Sequence, residues 1–190
     1  MPPQPAAEQV VAMGEFAVAC APDAMLSCVG IGSCIALLLL DEREGVVGLG
    51  HVVVPAGGDG PPVKYATSAV PELVRAVTVA GGEPSRLTAV LVGGAEMFDF
   101  GSGEPIGARN ERAVRDGLQR AEIPVVACDT GGRKGRTVRA KIGFGIEIRV
   151  RTTGSGESLL DIERNADRDS AGADLERAKL EPMTALEVMD

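Results

Sequence analysis

The sequence predicts an α/β domain whose central strands are covered on both faces. Three observations carry this. Ile35–Leu40 and Val46–Val54 read as apolar on both faces, the pattern of strands buried between layers. Tyr65–Ala80 and Ala108–Ala121 place apolar residues at helical spacing. Phe144, Ile146, Ile148 and Val150 alternate with Glu147, Arg149 and Arg151, as in an antiparallel strand with one wet face. At 190 residues and 45% hydrophobic content, one core of ample size is expected. Aromatic residues are only 3%, with no Trp, so Val, Leu, Ile and Ala must build that core.

The elements follow in order. Val10–Cys20 reads as a strand interrupted at Gly14, and Ala21–Asp23 as a turn. Met25–Val29 leads into a flexible Gly30-Ile31-Gly32-Ser33 approach to Cys34. Ile35–Leu40 and Val46–Val54 flank turn chemistry at Asp41–Gly45 and should form a hairpin. Pro55–Pro62 is a loop. The first helix aligns Val70, Leu73, Val74 and Val77, with Gly81 at its stop. Leu87–Val92 is a strand ending at Gly93-Gly94. The second helix aligns Val114, Leu118 and Ala121, with Pro124 beyond its end. Val125–Cys128 is a short strand, Thr130–Arg136 a basic Gly-rich turn, and Thr137–Ile142 with Phe144–Arg151 should close the sheet.

Charge and cysteine usage narrow the function. A net charge of −8 argues against nucleic acid as the main partner. Residues 152–190 carry −6 of it, which marks an acidic, partly disordered appendage to a domain spanning 1–151. Asp174–Met189 could form a weak amphipathic helix there. Cys20, Cys28, Cys34 and Cys128 form no CxxC pair, and one histidine cannot complete a two-Cys, two-His zinc set. The polar, Pro-rich Met1–Gln9 lacks a secretory pattern, and no apolar run approaches membrane-spanning length. A cytoplasmic setting with reduced thiols and no membrane insertion is expected.

The sole histidine, His51, follows Cys34 by one hairpin. If Asp41–Glu44 is a four-residue loop, Leu40 faces Gly45 and Cys34 faces His51, on one side of the sheet. The imidazole can then take the thiol proton, and the thiolate attacks an acyl carbon. Backbone amides near Gly32 and Ser33 would hold the oxyanion, and Gly48 and Gly50 would clear space around the imidazole. The bland alternative is a small buried Cys and a structural His.

Val92–Phe98 reads as a binding loop or a tight strand end, with Met97 and Phe98 expected in the core and partner contact as the lesser alternative. Thr130–Thr137 lacks the phosphate-loop pattern and precedes a strand, so nucleotide binding is not expected. No G-x-S-x-G elbow is present.

An ordered set of motifs resembles the bacterial chemoreceptor glutamine deamidases, the CheD family, from about Val10 to Arg151. The set is Gly30–Cys34, Gly50-His51-Val52 with Pro55, Lys64-Tyr65-Ala66, Gly93–Phe98, Ile106–Asn110, Asp129–Gly132, and Gly135-Arg136-Thr137. The resemblance implies a three-layer sandwich with a mixed, largely antiparallel sheet and covering helices, similar to toxin domains that deamidate glutamine. It implies a cysteine hydrolase without metal or cofactor, with Cys34 as nucleophile and His51 as base. The implied substrate is a glutamine side chain on chemoreceptor helices, and in some members a receptor methyl ester. The implied partner is a CheC-type phosphatase. One departure stands out. The family's usual threonine, six residues before the nucleophile, is Cys28 here, and a thiol is the weaker hydrogen-bonding group. Cys28 is therefore a doubtful third catalytic member, and neighbouring Ser27 would face the other way. Two further readings stay open: a non-catalytic module binding receptor or CheC helices, and a redox sensor using Cys28 and Cys34.

Overall fold

The computed structural model describes residues 8–97, 103–160 and 162. The amphipathic segment expected at Asp174–Met189, and Phe98, lie outside the described residues. Among the described residues, ten strands and two α-helices make three layers. The strands are β1 (Glu8–Val10), β2 (Phe16–Ala19), β3 (Met25–Ile31), β4 (Ile35–Asp41), β5 (Val46–Val52), β6 (Thr88–Gly93), β7 (Val125–Thr130), β8 (Arg136–Ile142), β9 (Ile146–Thr152) and β10 (Glu157–Leu159). The helices are α1 (Ala66–Val79) and α2 (Ile106–Arg120).

The strands divide into two five-stranded sheets, ordered β1-β3-β8-β9-β10 and β2-β5-β4-β6-β7. Both are mixed: β1–β3 and β6–β7 pair in parallel and the other pairs are antiparallel. The expected sandwich is thus present, but β8 and β9 build a second sheet instead of closing the first. Alternation along β9 is the reason. Ile146, Ile148 and Val150 are buried while Glu147, Arg149 and Arg151 are exposed, so one face must meet another apolar layer and the other must meet water. Phe144, read as the start of this strand, instead sits fully exposed in the turn before it.

The inter-sheet core joins Leu26, Cys28 and Ile31 of β3 to Ala36, Leu38 and Leu40 of β4 and to Val138, Ile148 and Val150. The alternate residues Ile35, Leu37 and Leu39 pack against Val70, Leu73 and Val77 of α1 and Val114 and Leu118 of α2. Every residue of β4 and β5 is buried, as both-face apolar runs require. Each fully buried leucine of β4 contributes roughly 1.5–3 kcal/mol of apolar burial.

Glycines of β5 settle how close α1 comes. A Cβ on Gly48 would lie 2.5 Å from Val77 Cγ2, and one on Gly50 2.8 Å from Val63 Cγ1. Both face the helix layer, opposite His51. They make room for α1 and its entry, and not for the imidazole as the sequence reading had it. Among the described residues no helix is long and apolar enough to cross a membrane.

Candidate active site

The β4–β5 hairpin pairs Asp41 with Val46, Leu37 with Gly50 and Ala36 with His51. The turn therefore begins at Glu42, and the register is displaced by two residues from the expected one. Asp41 stays in the strand because its carboxylate caps the turn, accepting the amides of Arg43 (3.1 Å) and Glu44 (3.2 Å). An even displacement preserves the face. Cys34 lies two residues before Ala36, so it and His51 line the same inter-sheet face as diagonal neighbours, not directly opposite.

His51 is 3% exposed. Its main chain is held by the segment before β2: His51 N donates to Glu15 O at 2.9 Å, and Gly14 N donates to His51 O at 2.9 Å. Gly14 adopts φ +80°, which a side chain would strain. The same segment orients the ring, since Nδ1 lies 3.3 Å from Val11 O. A carbonyl only accepts, so Nδ1 carries the proton and Nε2 of the neutral ring is an acceptor. Nε2 is buried without a hydrogen-bond partner. Burial pulls the imidazole below its ordinary value, opposed by the bond to Val11.

Cys34 stands half-buried in the turn before β4. Burial pushes its thiol up, opposed by a hydrogen bond from its own backbone amide. Burial thus acts against the charged form of both groups. Cys28 is fully buried, and its Sγ donates to Val11 O at a long 3.7 Å. Burial, with a smaller contribution from Cys34, pushes its thiol up to about 12. Cys28 and the imidazole converge on one carbonyl, that of Val11. Ser27 pairs in register with Val10 and Arg139, on the face opposite Cys28 as alternation requires, and is itself fully buried.

The turn carrying Gly32 and Ser33 is braced from behind. Ala95 N donates to Gly32 O at 2.8 Å and Gly94 N to Cys34 O at 2.7 Å. A Cβ on Gly93 would lie 2.3 Å from Cys34 O, which explains the glycine there. Gly32 makes room for Met97, whose Cγ would lie 3.0 Å from an added Cβ. Met97 itself is 44% exposed beside this turn and is not the core residue expected. The Gly-rich basic turn is a second brace. Arg136 is buried, donates to Gly131 O at 2.7 Å and pairs with Asp129 at 2.8 Å. Gly131 N then holds Gly93 O at 2.9 Å, and Glu96 N holds Gly132 O at 2.8 Å.

Two contributors escaped the sequence reading. Val11 acts through its backbone, which leaves no residue-type signal. Asn110 is fully buried, and its Nδ2 donates to Ser33 O (2.8 Å) and Val53 O (2.9 Å). It stood in the Ile106–Asn110 motif, where its chemistry had no visible partner. Cys20 is exposed, and Cys128 packs against the helix-side core, away from this face. Among the described residues no cluster of three His, Cys, Asp or Glu could hold a metal ion.

Comparison with known proteins agrees with the motif reading. A family model described as CheD chemotactic sensory transduction matches residues 54–151. The probable chemoreceptor glutamine deamidase CheD of Symbiobacterium thermophilum is 42% identical over 160 residues, 80% of this chain and 96% of that protein. The chemoreceptor glutamine deamidase CheD of Thermotoga maritima is 38% identical over 154 residues, 80% of this chain and 96% of that protein. That of Geobacillus kaustophilus, named as probable, is 40% identical over 151 residues, covering 75% and 90%. With identity at this level along nearly the whole length of those proteins, the chain belongs to the CheD family.

Proposed function

We propose that this chain is a protein-glutamine deamidase acting on chemoreceptors, with Cys34 as nucleophile and His51 as general base. The observation that carries the reading is the polarity of His51: Nδ1 is committed to Val11 O, and Nε2 stands as a buried acceptor on the face that Cys34 shares. The names of the relatives supply the substrate class.

In this reading the thiol proton passes to Nε2 as Sγ attacks the glutamine Cδ. The oxyanion that forms is held by amides of the Gly32-Ser33-Cys34 turn. The imidazolium returns its proton to the leaving nitrogen, and ammonia departs from a thioester. His51 then deprotonates water, the hydroxide adds to the thioester carbon, and the thiol leaves with glutamate as product. Because burial disfavours a charged thiolate and imidazolium, proton transfer accompanies attack in this reading. Val11 O occupies the orienting role that the family's threonine would fill, and Cys28 is a packing neighbour of that carbonyl. The deamidase domain is 1–151, with 152–190 as an acidic appendage whose β10 extends the sheet edge. A CheC-type phosphatase competes for the receptor-binding face, and the setting is cytoplasmic, where the receptor helices lie.

The test is mass spectrometry of a chemoreceptor cytoplasmic fragment after incubation, with ammonia measured in parallel. The expected result is glutamine-to-glutamate conversion that Cys34→Ala abolishes without unfolding the protein. Undiminished conversion by that variant overturns the assignment. A second reading, a binding module without catalysis, is favoured by Cys28 at the family's threonine position; a fragment that binds but keeps its mass would select it.

A further inference from the structure

Helix α2 reaches the Cys34 turn once directly and once through the loop after β6. Gly107, in its first turn, is flush with the loop after β6: a Cβ there would lie 2.4 Å from Gly94 O, and Gly94 N holds Cys34 O at 2.7 Å. One turn further along, Asn110 reaches the same place from its side chain. Its two Nδ2 hydrogens go to different segments: one to Ser33 O, immediately before the nucleophile, the other to Val53 O, two residues after His51 and just past the end of β5. These carbonyls come from segments 77 and 57 residues away in sequence. A single fully buried amide thus ties the turn carrying the sulfur to the end of the strand carrying the imidazole. The orientation is fixed by chemistry, since Oδ1 against two carbonyls would repel. Oδ1 has no partner, so burying this side chain costs desolvation that its packing alone does not explain.

The diagonal register gives this tie its significance. Cys34 and His51 do not face each other across a hydrogen-bonded pair, and Cys34 precedes the paired part of β4. The ladder therefore fixes His51 more tightly than Cys34. We propose that Asn110 is a positioning residue that sets the separation of Cys34 and His51 by clamping Ser33 to Val53. This rests on the reading of those two residues as the reacting pair.

The experiment is a double-mutant cycle read on the full chain without substrate. The rate of Cys34 carbamidomethylation by iodoacetamide is followed by peptide mass mapping across pH. His51→Ala is expected to slow this rate in the otherwise unchanged protein, since the thiol loses its base. Asn110→Ala is expected to slow it comparably, and the double variant to be no slower than His51→Ala alone, because both changes remove one alignment. In turnover, Asn110→Ala should lower kcat by about 10- to 100-fold with KM little changed. Asn110→Asp preserves volume but removes both donors. It should reproduce the effect, and it carries the cycle if the alanine variant does not fold. Multiplicative slowing in the double variant, or an unchanged rate in Asn110→Ala and Asn110→Asp, overturns the proposal while leaving the Cys34–His51 reading intact. An unchanged rate in His51→Ala alone overturns that reading, and the proposal with it.

Discussion

The two ends of the β4–β5 pair treat polar groups in opposite ways. At the turn end, Asp41 is completely buried, yet its carboxylate accepts the amides of Arg43, Glu44 and Glu83 and both Nε and Nη2 of Arg86. Burial pushes that carboxyl up, but the bonds from Arg86, Glu83 and Glu44 outweigh it and hold the group down at about 2. At the other end, His51 Nε2 and Asn110 Oδ1 are buried with no partner. Both ends lie on the same two strands and are equally dry. The difference teaches that one end satisfies its buried polar groups and the other leaves acceptors unpaired. Buried polar groups are normally satisfied, so an unsatisfied imidazole nitrogen on the face that Cys34 shares is informative in a way that a buried carboxylate with five donors is not.

The largest effect that would sharpen this contrast is on activity. His51→Leu should lower deamidation by roughly 10²- to 10⁴-fold, the range for losing a general base. Its stability at pH 7 should change by less than about 1 kcal/mol, because a lost bond to Val11 is offset by removal of an unpaired buried nitrogen. Thermal melts and receptor-fragment assays check both halves; strong destabilisation would show that the imidazole is structural.

Next comes the turn end. Asp41→Asn should cost about 3 kcal/mol in denaturant unfolding, since Arg86 and three amides lose their charged acceptor. Turnover per folded molecule should stay within about twofold, given that the substitution is remote from the reacting atoms. The pH dependence separates the ends further. His51 titrates below its ordinary 6.5 when folded, so the unfolded chain takes the proton first and stability declines as pH falls below 6.5. Asp41 titrates at about 2 against an ordinary 3.8, so its contribution persists above 3.8 and fades only as pH falls through about 2. His51→Leu should erase the first decline and leave the second. A profile of stability against pH that is identical in both proteins would break the comparison.

The smallest effect is expected at Cys28. Its thiol makes only a long contact to a carbonyl that already orients the ring. Cys28→Thr, which restores the residue usual in the family, should alter kcat by less than about threefold, as expected for one modest bond to an acceptor already in use. A gain of orders of magnitude would mean that Val11 O does not suffice as the orienting group.

Much of this protein was fixed by local chemistry legible in the chain. The both-face apolar runs demanded covered central strands, and β4 and β5 are buried along their whole length. Helical spacing placed Val70, Leu73 and Val77 inward, and all three are buried. Alternation along 146–151 required one wet face. Cys34 and His51 were expected on one face and share it. Such features depend on periodicity, which a sequence carries explicitly. What only the tertiary structure decided was set by contacts between distant segments. The division into two sheets, the displacement of the hairpin by Asp41 and Arg86, the Val11 carbonyl behind the imidazole and the Asn110 tie all depend on groups brought together from afar. Backbone carbonyls are identical at every position, and a side-chain amide shows no target until the fold supplies one. The sequence determined which strands are covered and that Cys34 and His51 share a face; the packing of separate segments decided what holds each of them in place.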